Sequence, residues 1–326
     1  MRIGKRPRVL TNSPWLRTPG STGELVVDEE HRRWARWYKT IRGGFDLALF
    51  NIDTTSLLCA CLWKKASRSK CTIVAVDTIL NRPTGLIGHA KVHLFQWLFQ
   101  EVDLFLFYCR DTVDLRGLYG IRPEHVEYVP FKVNALDRVL ELATYDDGWF
   151  LSCGRSYRDY DLLCEAFDGL PYKCMILAPR RSTGAHGTFL DAARLPANVE
   201  LIADDGTADS WNRWISRCTA LVVPLIPNTL SPAGIGTYLV GMALGKCVIV
   251  TEGVGTRGIL DAETAVIVRA EDAYGLRDAV IRVATDKAFR ERVASAGKRY
   301  AVSLGGEDRL AKDIAVIVRR MLDQRA

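Results

Sequence analysis

No apolar run in this chain reaches the roughly 18 residues that a membrane-spanning helix needs. The best candidate, VHLFQWLFQEVDLFLFYC, is broken by Glu101 and Asp103. The basic start MRIGKRPRVLTNSP is followed only by a short strand-like run, which does not read as a secretory signal. A cytoplasmic setting is expected. The nine cysteines (Cys59, Cys61, Cys71, Cys109, Cys153, Cys164, Cys174, Cys218 and Cys247) contain no C-x-x-C pair, and most sit inside apolar segments. Roles as small hydrophobes in a reducing compartment fit that usage better than disulfides or zinc. His89 and His93 have helical spacing, but no acid lies between them, and no metal site is expected. Low-complexity segments are lacking. So is any nucleic-acid-binding motif, and nucleic acid is not an expected partner.

What is present is charge on one side of the chain and a regular alternation of elements. Through Tyr145 there are 21 Lys+Arg against 15 Asp+Glu; from Asp146 onward there are 23 against 23, so the whole excess of +6 lies in the first half. Such a half suits an anionic partner, either a phosphate-rich substrate or an anionic membrane surface, with ordinary solubility an equal alternative for so modest an excess. At 326 residues, with 48% apolar and 25% charged residues, the chain suits two domains of about 150 residues each.

Apolar runs such as FDLALFNID, CTIVAVDTIL and LFLFYC read as buried strands, each followed by a helical pattern. The pattern restarts at DDGWFLSCGRSYRDYDLLCEAF and ends in helices from Ala273 onward. The helix in EEHRRWARWYKTIRG carries Trp34, Trp37, Tyr38 and Ile41 at helical spacing, with Arg32, Arg33, Arg36, Lys39 and Arg42 on the other side. Its aromatic stripe is expected to face the core; alternatively the basic side rests on an anionic bilayer. The predicted fold class is α/β: two doubly wound, parallel-sheet, Rossmann-like domains facing a cleft, residues 1–143 and 144–326, with the last helix able to pack back on the first domain. Ligands in such folds gather at the carboxyl ends of the strands.

Two strand-to-helix loops stand out there. In FLSCGRSYRDYDLL, Gly154 permits a tight turn and Arg155 follows at the strand end, placed for a phosphate or carboxylate. In SPAGIGTYLV, the segment Ser231, Ala233, Gly234, Ile235, Gly236 and Thr237 opens a helix whose amides suit a diphosphate. For GIGT alone, plain turn packing is an equal alternative.

The succession FLSCGRSYRDYDLLCEAF, LPANVELIAD, CTALVVPL, GMALGKCVIVTEGVG and AVIVRAEDAYGLRDAVIRVATDKAFRERVASAG resembles the carboxyl-terminal half of nucleotide-sugar-dependent glycosyltransferases of the GT-B fold. The chain is most similar to the bacterial glycosyl transferases group 1 family. VDLFLFYCRDTVDLRGLYGIRPEHVEYVPFKV matches the end of that family's acceptor domain, and the likeness is looser before Thr78.

The resemblance implies an acceptor-side first domain and a second domain binding a nucleoside-diphosphate sugar, UDP- or GDP-linked, with no further cofactor. It also implies an acceptor glycan in bacterial surface polysaccharide or glycoconjugate assembly; if the basic face of the EEHRRWARWYKTIRG helix meets an anionic membrane, a lipid-linked glycan acceptor at the inner face follows. By the same resemblance Arg155 is the family's Gly-Arg cation, and Arg158 is the nearest substitute for the lysine that follows it. The loop Gly20, Ser21, Thr22 and Gly23 resembles the family's glycine-rich acceptor-side loop. Asp77 stands near the family's cleft histidine. An inverting reaction needs a carboxylate base, and Asp77 and Asp53, both at strand ends, are candidates; a strand-end Asp is also a common helix cap. The family's two glutamates fall at Pro232 and Val240, and no acid occurs between Asp209 and Glu252. A non-catalytic binding or scaffold protein and a nucleotide-sugar epimerase therefore stand as alternatives.

Overall fold

A computed structural model of the chain describes residues 7–13, 26–179 and 190–324. They form two compact units, one of the residues up to Pro130 with those from Asp308 on, the other of Phe131–Glu307.

The first unit holds six parallel strands, β1 (Arg8–Thr11), β2 (Val26–Glu29), β3 (Leu47–Asn51), β4 (Thr72–Val76), β5 (Leu104–Phe107) and β6 (Val126–Tyr128), in the order β2-β1-β3-β4-β5-β6. Strands β4 and β5 are buried throughout, as both faces of a parallel sheet require, and apart from Thr72 their runs TIVAV and LFLF are apolar for that reason. Edge strand β2, VVDE, has no such run and is not evident from the sequence: an edge strand carries charge to discourage further pairing.

Helices α1 (Arg33–Arg42), α2 (Thr54–Ser67), α3 (Gly85–Phe99) and α4 (Val113–Tyr119) each connect a strand to one further along the same direction of the sheet. Right-handed crossovers therefore place all four on one face, where α1 packs on α2, α2 on α3 and α3 on α4.

Helix α1 reverses the expectation from its pattern. Trp34, Tyr38 and Ile41 face solvent, while Ala35, Arg36 and Thr40 are buried. Arg36 turns inward because its guanidinium is fully engaged. It donates to the carbonyls of Glu30 (2.7 Å) and His31 (2.6 Å) and to Ser56 Oγ (3.3 Å), and it pairs with Asp53. A buried cation is tolerable only when matched and bonded in this way.

The second unit also holds six parallel strands, β7 (Trp149–Cys153), β8 (Lys173–Pro179), β9 (Val199–Asp204), β10 (Ala220–Val223), β11 (Cys247–Thr251) and β12 (Val266–Val268). Their order is β12-β11-β10-β7-β8-β9. Helices α5 (Leu136–Glu141), α6 (Tyr160–Phe167), α7 (Ala208–Arg217), α8 (Ile235–Ala243), α9 (Ala273–Thr285) and α10 (Lys287–Ser303) complete it. The chain runs outward from β7 through β8 to β9, then returns to β10 and runs the other way. The strand order thus reverses between β7 and β10, where doubly wound sheets open a ligand crevice.

The terminal helix α11 (Glu307–Asp323) falls from Asp308 on in the first unit, buries Leu310, Ile314 and Val318, and donates from Arg309 to the Pro130 carbonyl at 3.0 Å. All nine cysteines are free thiols. Among the described residues no helix is long and apolar enough to cross a membrane.

Candidate functional site

The switch point of the second sheet is built by the loops that leave β7 and β10. They zip together: Asp159 N donates to the Pro224 carbonyl at 3.1 Å, Ile226 N donates to the Tyr157 carbonyl at 3.0 Å, and Arg158 bridges Leu225. Under this zipper lies Arg158, only 3% exposed. Its Nε donates to the Cys153 carbonyl (3.0 Å), one terminal nitrogen to the Ser156 carbonyl (2.8 Å) and the other to Thr237 Oγ1 (3.0 Å). Burial lowers its pKa from the ordinary arginine value. Arg158, which the resemblance puts in the place of the family's lysine, is thus buried and fully bonded within the protein. It clamps the β7 loop to the first turn of α8.

Gly154 exists to admit that clamp. Its φ is +140°, and a Cβ there would lie 2.2 Å from an Arg158 nitrogen. Any side chain would evict the guanidinium. Arg155, one residue on, is exposed, donates to the Gly206 carbonyl in the loop after β9, and stacks over Trp211 of α7 with its guanidinium carbon 5.2 Å from the ring centroid. It is a charged group held at the sheet edge by one bond and one ring.

The start of α8 is packed from several sides. Gly234, its N-cap, has φ +82°, and a Cβ would meet Val223 at 3.0 Å. A Cβ on Gly236 would meet the Asn134 amide at 3.0 Å, and one on Gly255, in the loop after β11, would meet the Ala233 carbonyl at 2.6 Å. Tyr238 Oη donates to the Gly255 carbonyl at 2.9 Å. Asn134 accepts from the buried Lys132, which also pairs with Glu307 at 2.7 Å. Ser231, Ala233 and Ile235 are buried. Helices α6, α7, α9 and α10 begin under the side-chain oxygens of Asp159, Thr207, Asp272 and Asp286; α8 begins under glycine, with no side-chain cap. Its first-turn amides carry the positive end of the helix dipole, the usual setting for an anion.

The two strand-end aspartates of the first unit differ. Asp53 caps α2 through Ser56 N (3.1 Å) and pairs with Arg36. Burial alone would raise its pKa, but the bonds from Ser56 and Arg36 outweigh it and the net shift is downward. A carboxylate so committed is a poor proton acceptor, and the capping role is the one on display.

Asp77, ending β4, sits in the left-handed region at φ +47°, with its amide donating to the Leu106 carbonyl at 2.9 Å. Burial pushes its carboxyl up to about 6. Tyr108 and Cys109, following β5, are close enough that, after burial, the Asp77 charge also raises their pKa, that of Cys109 to about 12.

Gly20, Ser21, Thr22 and Gly23 lie outside the described residues. Pro232 stands in the loop before α8, and Val240 is buried on that helix. The sequence reading missed the part played by Trp211, Asn134 and Gly255. Only Gly255 left a local trace, the G-V-G spacing of TEGVG. Among the described residues no cluster of three or more metal-ligating side chains occurs.

No family model matches the sequence, and no curated protein matches it by sequence. Solved structures do. Anabaena HepE in complex with UDP is similar at a TM-score of 0.71, with 10% identity over 97% of this chain and 100% of that one. Sucrose-phosphate synthase from Thermosynechococcus elongatus gives 0.68, with 14% identity over 93% of this chain and 82% of that one. The UDP-forming α,α-trehalose-phosphate synthase from Burkholderia xenovorans gives 0.62, with 13% identity over 91% and 79%. At such identities the likeness speaks of the fold: with its two Rossmann-like, six-stranded parallel halves, this chain has the GT-B fold of nucleotide-sugar glycosyltransferases.

Proposed function

We propose that the protein transfers a sugar from a nucleoside-diphosphate sugar to an acceptor hydroxyl, with the second unit holding the donor. The observation that carries this reading is the Arg158–Thr237 bond. It ties the loop bearing exposed Arg155 to the uncapped start of α8, at the strand-order switch where a doubly wound sheet receives its ligand. The likeness to HepE, solved with UDP and with UDP-glucose, favours a UDP-sugar over a GDP-sugar. The leaving diphosphate gains charge in the transition state; Arg155 and the amides of Ile235, Gly236 and Thr237 stabilise it, while Arg158 keeps that turn in place. In the first unit Asp77 is the acceptor base, its proton affinity raised by burial toward the working range. The expected setting is assembly of a surface polysaccharide or glycoconjugate.

Pro232 and Val240, where the related family carries its two glutamates, favour a second reading, a binding protein that no longer turns over. One titration separates the two. UDP, GDP, ADP and dTDP are titrated calorimetrically into wild type and Arg155→Ala. The transferase reading expects one nucleotide to bind, weakened tenfold or more (roughly 1.4 kcal/mol) in the variant, and the matching nucleotide sugar to be consumed. Binding without consumption selects the second reading. A folded protein that binds none of the four overturns both.

A further inference from the structure

Beside Arg158, the first turn of α8 has a second polar neighbour. Asn134, exposed in the segment leading into α5, lies over Gly236: a Cβ on that glycine would meet Asn134 Nδ2 at 3.0 Å and the Phe131 ring at 3.8 Å. No side chain at 236 could share the space with that amide. Lys132 fixes which way the amide turns. The amide oxygen accepts from Lys132 Nζ, and an ammonium carries three donors and no acceptor, so only the oxygen can face it. The NH2 group is left toward α8, and among the described residues it donates to nothing.

What holds Asn134 lies deeper. Lys132 is only 8% exposed, and its charge is met by Glu307 at 2.7 Å. The same Glu307 oxygen accepts from Ala135 N at 3.2 Å, so the groups on both sides of Asn134 are tied to one carboxylate. Burial alone would raise the pKa of Glu307, but the bonds from Lys132 and Ala135 outweigh it and the net shift is downward. The carboxylate therefore stays charged at neutral pH. Between them, Val133 N donates to the Gly305 carbonyl at 2.9 Å and fixes the backbone. Withdrawing an ion pair from water is costly, and here the pair steadies a side chain that is itself exposed. A supporting shell of that kind preorganises a contact with something outside the chain.

A donor fixed beside the open amides of a helix start calls for an acceptor, and the positive end of the dipole favours an anionic one. A cation would meet that dipole and the Asn134 hydrogens, all of the same sign. A diphosphate carries several anionic oxygens and can meet the α8 amides and Asn134 together. We propose that Asn134 binds the nucleoside-diphosphate donor through a hydrogen bond from Nδ2 to a phosphate oxygen at the start of α8, with Lys132 and Glu307 as its positioning residues. This rests on the assignment of the donor to the second unit made above. As negative charge gathers on the leaving diphosphate the contact strengthens, so it aids transfer as well as binding.

Whichever of UDP, GDP, ADP and dTDP wild type binds is titrated calorimetrically into Asn134→Ala, Asn134→Asp, Lys132→Arg and Lys132→Gln. The melting temperature of each is measured without nucleotide. Asn134→Ala is expected to bind about tenfold more weakly, and Asn134→Asp, which keeps the shape but replaces the donor by a negative charge, about a hundredfold. Asn134→Asp also hands Lys132 a carboxylate, so its melting temperature should hold or rise while its affinity collapses. A merely structural role would move the two together. Lys132→Arg, which again offers no acceptor, should stay within about threefold of wild type, whereas Lys132→Gln lets the amide turn either way and should lose about fivefold or more. If the buried Lys132 variants misfold, Asn134→Asp decides alone. The proposal is overturned if Asn134→Asp binds as wild type does, or loses affinity only in step with melting; equal binding by folded Lys132→Arg and Lys132→Gln overturns the positioning role. Such results leave the donor reading standing, whereas a wild type that binds none of the four nucleotides overturns both.

Discussion

The ends of β3 and β4 lie side by side in one sheet and each is followed within two residues by an aspartate, yet the two carboxyls have opposite characters. Asp53 is met by a serine amide and a buried guanidinium, and its pKa falls. Asp77 sits in the left-handed region of backbone space, and burial carries its carboxyl up to about 6. Position at a strand end therefore does not make a base. What surrounds the carboxyl sets its proton affinity, which falls at Asp53 and rises at Asp77.

The hardest test of that contrast is kinetic. With the nucleotide sugar identified by titration, Asp77→Asn is expected to lower the rate of nucleoside-diphosphate release about 10²–10⁴-fold. Asp53→Asn should leave the rate per folded molecule within a few-fold of wild type. Equal losses in both would erase the distinction.

A second test acts on Asp53 alone. Arg36→Ala strands its carboxylate in a buried setting and is expected to cost about 3–5 kcal/mol in urea unfolding. Adding Asp53→Asn should recover part of the loss, and a strictly additive double variant would mean the two groups do not interact.

The third test is the pH dependence of stability. For Asp77 the folded carboxyl titrates near 6 against an ordinary value of 3.8, so its contribution is fully present below the unfolded value and lost as pH rises through the folded one. Asp77→Asn should therefore stabilise the protein by up to about 3 kcal/mol at about pH 8, and by almost nothing below about pH 4. Asp53 is shifted the other way: its contribution is present above the unfolded value and lost as pH falls through the folded one. Asp53→Asn should thus destabilise at neutral pH and converge with wild type in acid. Parallel pH profiles for the two variants would refute the comparison.

Much of this architecture was legible in the residue order. Runs such as TIVAV and CVIVT, short and rich in β-branched residues, read as buried strands, and their alternation with helical patterns leaves a parallel sheet as the simple solution. The strand-end loops at Gly154 and Gly234 were legible because glycine and a following cation or helix start leave a local mark. Helix α1 was not. Its periodicity showed two faces but not which one turns inward, because the partners that draw Arg36 into the core include Asp53 and Ser56, respectively 17 and 20 residues away. Strand β2 escaped because an edge strand lacks the apolar run that marks its neighbours.

By itself, then, the sequence determined the α/β class, the two-part organisation, the basic first half and the glycine-marked loops at strand ends, since each follows from local composition and periodicity. Tertiary structure alone decided what those residues do. Arg158 became a clamp because Thr237, 79 residues later, supplies the oxygen that lets its guanidinium be buried. Asp53 became a cap and Asp77 a perturbed acid because only one of them met a cation. Trp34, Tyr38 and Ile41 became surface because the guanidinium of Arg36, once its bonds were satisfied, took the inward side of their helix. In each case a side chain's role was set by the desolvation cost and the partner that meets it in space, and neither quantity is written in its sequence neighbourhood.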